Sequence, residues 1–149
     1  MASPEVDRGE IETKPPDYFD VLSLAVARSS HARFKGGVEE WTQAVAEARE
    51  AAQGSSPGFL QDVTIDRRNE SYTGPFSDEV SGFLTAMRMS GTFSTLTTRN
   101  KTTYVMSQAA KEEFKSQLLE ELGEQMQALE EPLAKLTEII DARLGLDPL

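Results

Sequence analysis

The chain has 149 residues, 38% hydrophobic and 27% charged, which suits one compact domain with an appendage rather than two packed domains. It contains no cysteine, which excludes disulfides, thiolate nucleophiles and thiolate metal sites. The formal net charge of −10 opposes binding to a polyanion as a whole, so any nucleic-acid contact has to come from a local patch.

In chain order, the start MASPEVDRGE lacks an apolar signal-peptide core, and nowhere do about 18 apolar residues follow one another as a membrane span requires. A cytoplasmic protein without a membrane partner is expected. Residues 1–16 are polar and end on Pro15-Pro16, the composition of a flexible arm. Asp17 is placed to cap a helix over 17–34, with Tyr18, Leu22, Ala25 and Val26 on one stripe and Gly36-Gly37 as its stop. A second helix is predicted over 38–53, where Trp41, Ala44, Val45, Ala48 and Ala52 recur at helical spacing. Its first turn carries Glu39 and Glu40, where acids suit the positive helix end.

After the loop 54–58, residues 59–66 alternate and predict a short strand with Val63 and Ile65 facing inward. Ser77 then caps a helix over 77–90 whose buried stripe is Val80, Phe83, Leu84 and Met87, closed by Gly91. Gly82 costs on the order of 1 kcal/mol against Ala inside a helix, which suggests a close backbone approach there. Two runs rich in β-branched and aromatic residues, 93–96 and 102–106, flank the polar tip Thr98-Arg99-Asn100-Lys101 and predict a hairpin. Helix, helix, short strand, helix and hairpin, followed by a terminal helix, is the order of a winged helix-turn-helix domain. The fold class expected is α+β, mostly helical, with a winged-helix domain over 17–106.

Ser107 opens the terminal element. Leu119, Leu122, Met126, Leu129, Leu133, Leu136 and Ile140 are spaced 3, 4, 3, 4, 3, 4, a coiled-coil-like a/d seam. A single helix over 107–144 would be about 57 Å long, more than a small domain can cover, so residues 107–145 are expected to form a dimerisation helix. Pro132 lies in its path and predicts a kink or a break near Glu130-Glu131. Internal packing of the seam is the competing expectation.

Little in the chain supports catalysis. The one histidine, His31, sits near a helix end, where interaction with the dipole accounts for it. Glu39-Glu40 and Asp78-Glu79 are adjacent pairs whose side chains diverge on a helix, and no glycine-rich phosphate loop occurs. Neither an enzyme nor a cofactor is expected. The charge lies at the two ends: residues 1–20 hold six acids and two bases, and 106–149 hold ten acids and four bases. Residues 21–57 and 58–105 are each neutral. An acidic excess with more Arg than Lys also suits a salt-adapted cytoplasm. Within the neutral body, Arg67, Arg68, Arg99 and Lys101 are candidate phosphate contacts flanking the 77–90 helix. Arg88 is the one basic residue on that helix's outward face, hence the candidate base contact. The partners expected are a second copy of the chain and either double-stranded DNA or a protein.

TGPFSDEV, Phe83-Leu84, Gly91 and TTYVMSQAAKEEF together resemble the "GPyS…L…G…y.LT..g" signature of phage-associated Panacea-type winged-helix proteins. The match covers about 45 residues, 70–114, and rests chiefly on Gly74, Pro75, Ser77 and Gly91. That group includes antitoxins, proteolytic adaptors and transcriptional regulators, so the resemblance implies either a DNA-binding role or a protein partner such as a toxin. The early helices depart from the group's pattern, with VEEWTQAV in place of its basic stretch. The heptad-bearing tail is more similar to PadR-type regulators, in which a dimerising helix follows the winged helix.

Overall fold

The computed structural model describes residues 17–56, 58–66, 75–99 and 101–146; the expected arm over 1–16 and the pair Arg67-Arg68 lie outside the described residues. Asp17 caps helix α1 (Tyr18–Arg28) by accepting the Asp20 N–H at 3.0 Å. Seven consecutive residues, Val21 to Ala27, are buried. Such a helix has no solvent face over two turns, so other elements must enclose it.

The helix expected to continue to Phe34 stops at Arg28. Ser29 turns extended while its N–H still reaches the Val26 carbonyl, and Arg33–Lys35 form strand β1. Phe34 decides this: its side chain is fully buried, and its backbone pairs with Tyr104 on one side and Gly145 on the other. Helices α2 (Val38–Ala51) and α3 (Asp78–Met89) stand where the periodicity places them. Ser77 accepts the Val80 N–H at 3.2 Å, and Gly91 at φ 84° ends the element, so both caps are as the sequence reads.

The strand expected over 59–66 does not form. Phe59 and Leu60 are buried within a turn, and only Asp66 makes a bridge, to Phe76. Local turns satisfy part of this segment's backbone, with Phe59, Gln61 and Val63 donating to carbonyls three residues back, and side chains of α2 and α3 satisfy more of it. Arg49 donates to the Leu60 and Val63 carbonyls, and Glu79 accepts the Thr64 N–H at 2.9 Å. Val63 is buried and Ile65 half-buried, in line with their expected inward side.

Strands β2 (Ser94–Thr98) and β3 (Lys101–Val105) form the expected hairpin. The sheet has four antiparallel strands in the order β2-β3-β1-β4, where β4 (Gly145–Leu146) is a two-residue strand that no sequence signal announced. Phe34, Trp41, Phe83, Phe93 and Tyr104 form one aromatic cluster, with neighbouring ring centroids 5.1–6.5 Å apart. Trp41 also donates its indole N–H to the Lys35 carbonyl at 2.5 Å. This cluster fixes α3 and the hairpin relative to the sheet.

The largest departure is at the carboxyl end, where the single long helix is replaced by two, α4 (Gln108–Leu122) and α5 (Gln125–Arg143). The break falls at Gly123, whose φ of 54° suits glycine, and not at Pro132, which stays buried inside α5. From there α5 packs against α1 and α2. Of the residues expected to face a second chain, Leu133, Leu136 and Ile140 have no exposed surface. Leu122 and Met126 are buried, Leu129 is half-buried, and Leu119 is 43% exposed. The heptad spacing is real, but the stripe lies on this chain's own helices, because the turn at Gly123 brings it there. The architecture is α+β and mostly helical.

Two ion pairs tie α5 down. Arg28 of α1 holds Glu130 through two hydrogen bonds of 3.2 and 2.9 Å, and Arg143 holds Glu47 of α2. In each case the hydrogen bond from the guanidinium keeps the carboxyl below its ordinary value of 4.5.

Two outcomes are expected. Leu136→Ala should cost about 2–5 kcal/mol of stability, and the loss in thermal melts should be the same at low and high protein concentration. A loss that depends on concentration would place Leu136 between chains. For the ion pairs the folded carboxyl pKa is depressed, so their stabilisation is present above 4.5 and lost as pH falls through the lower folded value. Replacing Glu47 and Glu130 with Gln should therefore flatten the decline in stability below pH 4.5 in urea titrations; an unchanged slope would show that the pairs contribute nothing.

Candidate nucleic-acid interface

Helix α3 leads through Gly91 straight into β2, so the helix and the hairpin tip are neighbours in the chain. On the outward side of α3, Asp78, Gly82, Thr85, Ala86, Arg88 and Ser90 are exposed, as their spacing predicts. Glu79 and Ser81 are half-buried. Glu79 turns back into the fold, accepting the Thr64 N–H and the Ser77 hydroxyl at 2.9 and 3.2 Å, which leaves Asp78 as the acid displayed at this end of α3. Met89, 78% exposed, is an outward residue that the amphipathic reading of the helix passed over. The close approach expected at Gly82 is absent, since a Cβ built there would meet nothing within 4 Å.

Arg99 and Lys101 are both exposed at the hairpin tip, with Arg99 in the left-handed region at φ 52°. Arg88 lies in the last turn of α3, on the side from which the chain enters β2. The structure thus brings Arg99 and Lys101 to one turn and attaches Arg88 to the same helix–hairpin unit. Arg67 and Arg68 lie outside the described residues.

One cation was missed. Lys35 is exposed on β1 opposite Thr103 of β3, so it lies on the same sheet face as Lys101. Lys35 and Lys101 line an open cleft of about 480 Å³, shared with Gly36, Glu40 and Leu146. Gly36 is required there because a Cβ would sit 2.6 Å from the Thr102 carbonyl oxygen. The alternation Arg33-Phe34-Lys35 was the available signal, though three residues are too short a run to separate a strand from a helix end.

Behind the sheet lies a polar junction in which His31 takes part. Its Nδ1 is 2.9 Å from the Leu146 carbonyl oxygen, so it holds β4 rather than a substrate. Lys111 of α4 is buried and donates to the carbonyls of Ser29 (2.7 Å) and His31, with its ammonium 5.8 Å from the centre of the Phe34 ring. Burial pushes the Lys111 ammonium below its ordinary value, against the opposing pull of Asp141. Asp141 also accepts from the Ser29 hydroxyl. These groups join the end of α1 to α4, α5 and β4, and their polar atoms are engaged with one another. No group of His, Asp or Glu that could hold a metal occurs among the described residues, and none of their helices is long and apolar enough to cross a membrane.

Comparison with protein-family models, curated proteins and solved structures finds no match to this chain. The reading of the interface therefore rests on its geometry.

The position of α3 depends on its cap. Ser77 is buried, and Ser77→Ala removes a hydroxyl that accepts from Val80 and donates to Glu79, so a loss of about 1 kcal/mol is expected in chemical denaturation. Ser77→Thr, which keeps both the acceptor and the donor at the cap, should recover part of it. Equal stability of all three would show that the cap does not position the helix.

Proposed function

We propose that residues 17–106 form a winged helix, whose core α4, α5 and β4 complete, and that the protein is a non-enzymatic regulator that binds double-stranded DNA, mainly through its phosphates. The carrying observation is the pair of exposed cations, Arg99 and Lys101, on a hairpin that follows directly from α3. The element order α1-β1-α2-α3-β2-β3, with β1 antiparallel to β3, supports the same reading. In that arrangement the helix enters the major groove while the hairpin lies along the backbone. The resemblance of residues 70–114 to Panacea-type proteins, and of the tail to PadR-type regulators, points the same way.

Arg99 and Lys101 act as phosphate contacts, and Arg88 is the one side chain on α3 suited to a guanine edge. Sequence selectivity is low, because Gly82, Thr85 and Ala86 offer few hydrogen-bonding groups and Asp78 repels the backbone. The net negative charge slows association with a polyanion. No cofactor takes part, and the site of action is the cytoplasm.

A second reading is favoured by Met89, whose 78% exposure at the end of α3 offers an apolar anchor. In it, the domain is a protein-binding module of antitoxin or adaptor type, acting on a partner such as a toxin.

Fluorescence anisotropy with a labelled duplex across salt concentrations tests the choice. Affinity should fall steeply with salt, by a log–log slope of about −0.9 per phosphate neutralised. Lys101→Ala should weaken binding to all sequences alike, and Arg88→Ala should narrow the gap between preferred and random duplexes. Absence of binding in dilute buffer would end the duplex reading and leave the protein module.

A further inference from the structure

The outer edge of the sheet has an unusual make-up. Strand β2 forms one edge of the sheet, with β4 at the other, and among the described residues no strand other than β3 pairs with it. Its sequence, Ser94-Thr95-Leu96-Thr97-Thr98, carries no charge and no proline, the two devices that usually guard such an edge. Leu96 is 51% exposed on the sheet face away from the core.

Register shows which backbone groups point outward. Residues 98 and 101 pair across a two-residue connection, which makes them the closing hydrogen-bonded pair. Pairs alternate along an antiparallel ladder, so Leu96 and Ser94 turn their N–H and C=O groups toward β3, while Thr95 and Thr97 turn theirs to the open edge. Thr95 and Thr97 are symmetric about Leu96. A second copy of β2 laid antiparallel on this edge therefore meets Thr97 with its Thr95 and Thr95 with its Thr97, each exchanging two backbone hydrogen bonds. Leu96 faces Leu96 across the two-fold axis in a non-hydrogen-bonded pair, where side chains lie closest.

The same register carries charge complementarity. Phe93 precedes β2 and Arg99 follows it, so antiparallel pairing about Leu96 brings the turn of the second copy that carries Arg99 to the Phe93 end of this strand. Beside that position a cavity of about 150 Å³ opens, lined by Thr92, Ala110, Glu113, Phe114 and Gln117. Glu113 is exposed there, and Phe114 supplies an apolar wall for the arginine stem.

We propose that β2 is a self-association edge: two copies of this chain pair β2 to β2 about Leu96, and Arg99 of each sits in the cavity beside Glu113 of the other. This surface is separate from the leucine stripe of α4 and α5. Self-pairing fits better than capture of a foreign peptide because the strand is its own complement in both backbone pattern and the Arg99–Glu113 charge pair. Arg99 is also a phosphate contact in the duplex reading, so pairing and duplex binding exclude one another. The pairing itself does not depend on that reading and is tested without DNA.

Sedimentation equilibrium on the full chain is the measurement. A monomer–dimer equilibrium is expected. Arg99→Glu or Glu113→Arg alone should raise the dimer dissociation constant by on the order of tenfold, and the two reversals together should restore it to within about threefold of the original. Leu96→Lys should abolish the dimer while circular dichroism stays unchanged. A monomer at every concentration overturns the proposal. So does a dimer indifferent to both reversals, and so does a double variant no tighter than the singles. Recovery in the double variant cannot be produced by misfolding, which keeps the result interpretable if one single variant is unstable.

Discussion

The structure depends on enclosing α1. Val21-Leu22-Ser23-Leu24-Ala25-Val26-Ala27 leaves no polar side to turn to water, and every one of these residues is buried. Each fully covered Val or Leu is worth roughly 1.5–3 kcal/mol, so a face left open would forfeit several of them. Helix α3 meets α1 only over a short stretch, and α4 and α5 cover most of it. The carboxyl-terminal third is therefore part of the core of this chain. Leu133, Leu136 and Ile140 are among its best-covered side chains.

That demand also explains how α5 tolerates a proline. Pro132 removes one helix hydrogen bond, at a cost of about 3 kcal/mol in an isolated helix. Burial of Leu133, Leu136 and Ile140 around it gains more than that by the same area argument. The chain bends at Gly123 instead, where a left-handed residue costs nothing in side-chain sterics. Lys111 has a related role at the other end of α1. Its ammonium occupies the carbonyls left open where the helix stops and β1 begins, and Phe34 covers it. Folding back of the terminal helices and formation of β1 are thereby coupled.

The proposed interfaces lie where the core makes no demand. The aromatic cluster fixes α3 and the root of the hairpin, while Arg88, Arg99 and Lys101 project from the parts left in solvent. Glu79 shows why composition alone misjudges such a surface: it counts as an acid at the exposed end of α3 but is used to bind the backbone of Thr64. Asp78 is not, and it keeps that end of the helix negative. The hairpin carries two distinct surfaces, a cationic tip and an uncharged outer edge, and Arg99 stands where they meet.

The residues alone determined the elements whose signals are local. Ser77 and Gly91 delimit α3 because capping is settled within a few residues of the helix end, and β2 and β3 follow from β-branched runs around a polar tip. The candidate cations Arg88, Arg99 and Lys101 were legible for the same reason, as polar residues off the apolar stripe. Tertiary structure decided the rest. Phe34 became a strand residue because of partners about 70 and 110 positions away, residues 59–66 took up turns held by their own backbone and by side chains of α2 and α3, and Lys35 joined Lys101 only once β1 lay on β3. The heptad spacing of the last helices specifies an apolar stripe but not what covers it. A stripe gains nearly the same free energy from its own chain as from another, and the turn at Gly123 makes its own chain the nearer cover.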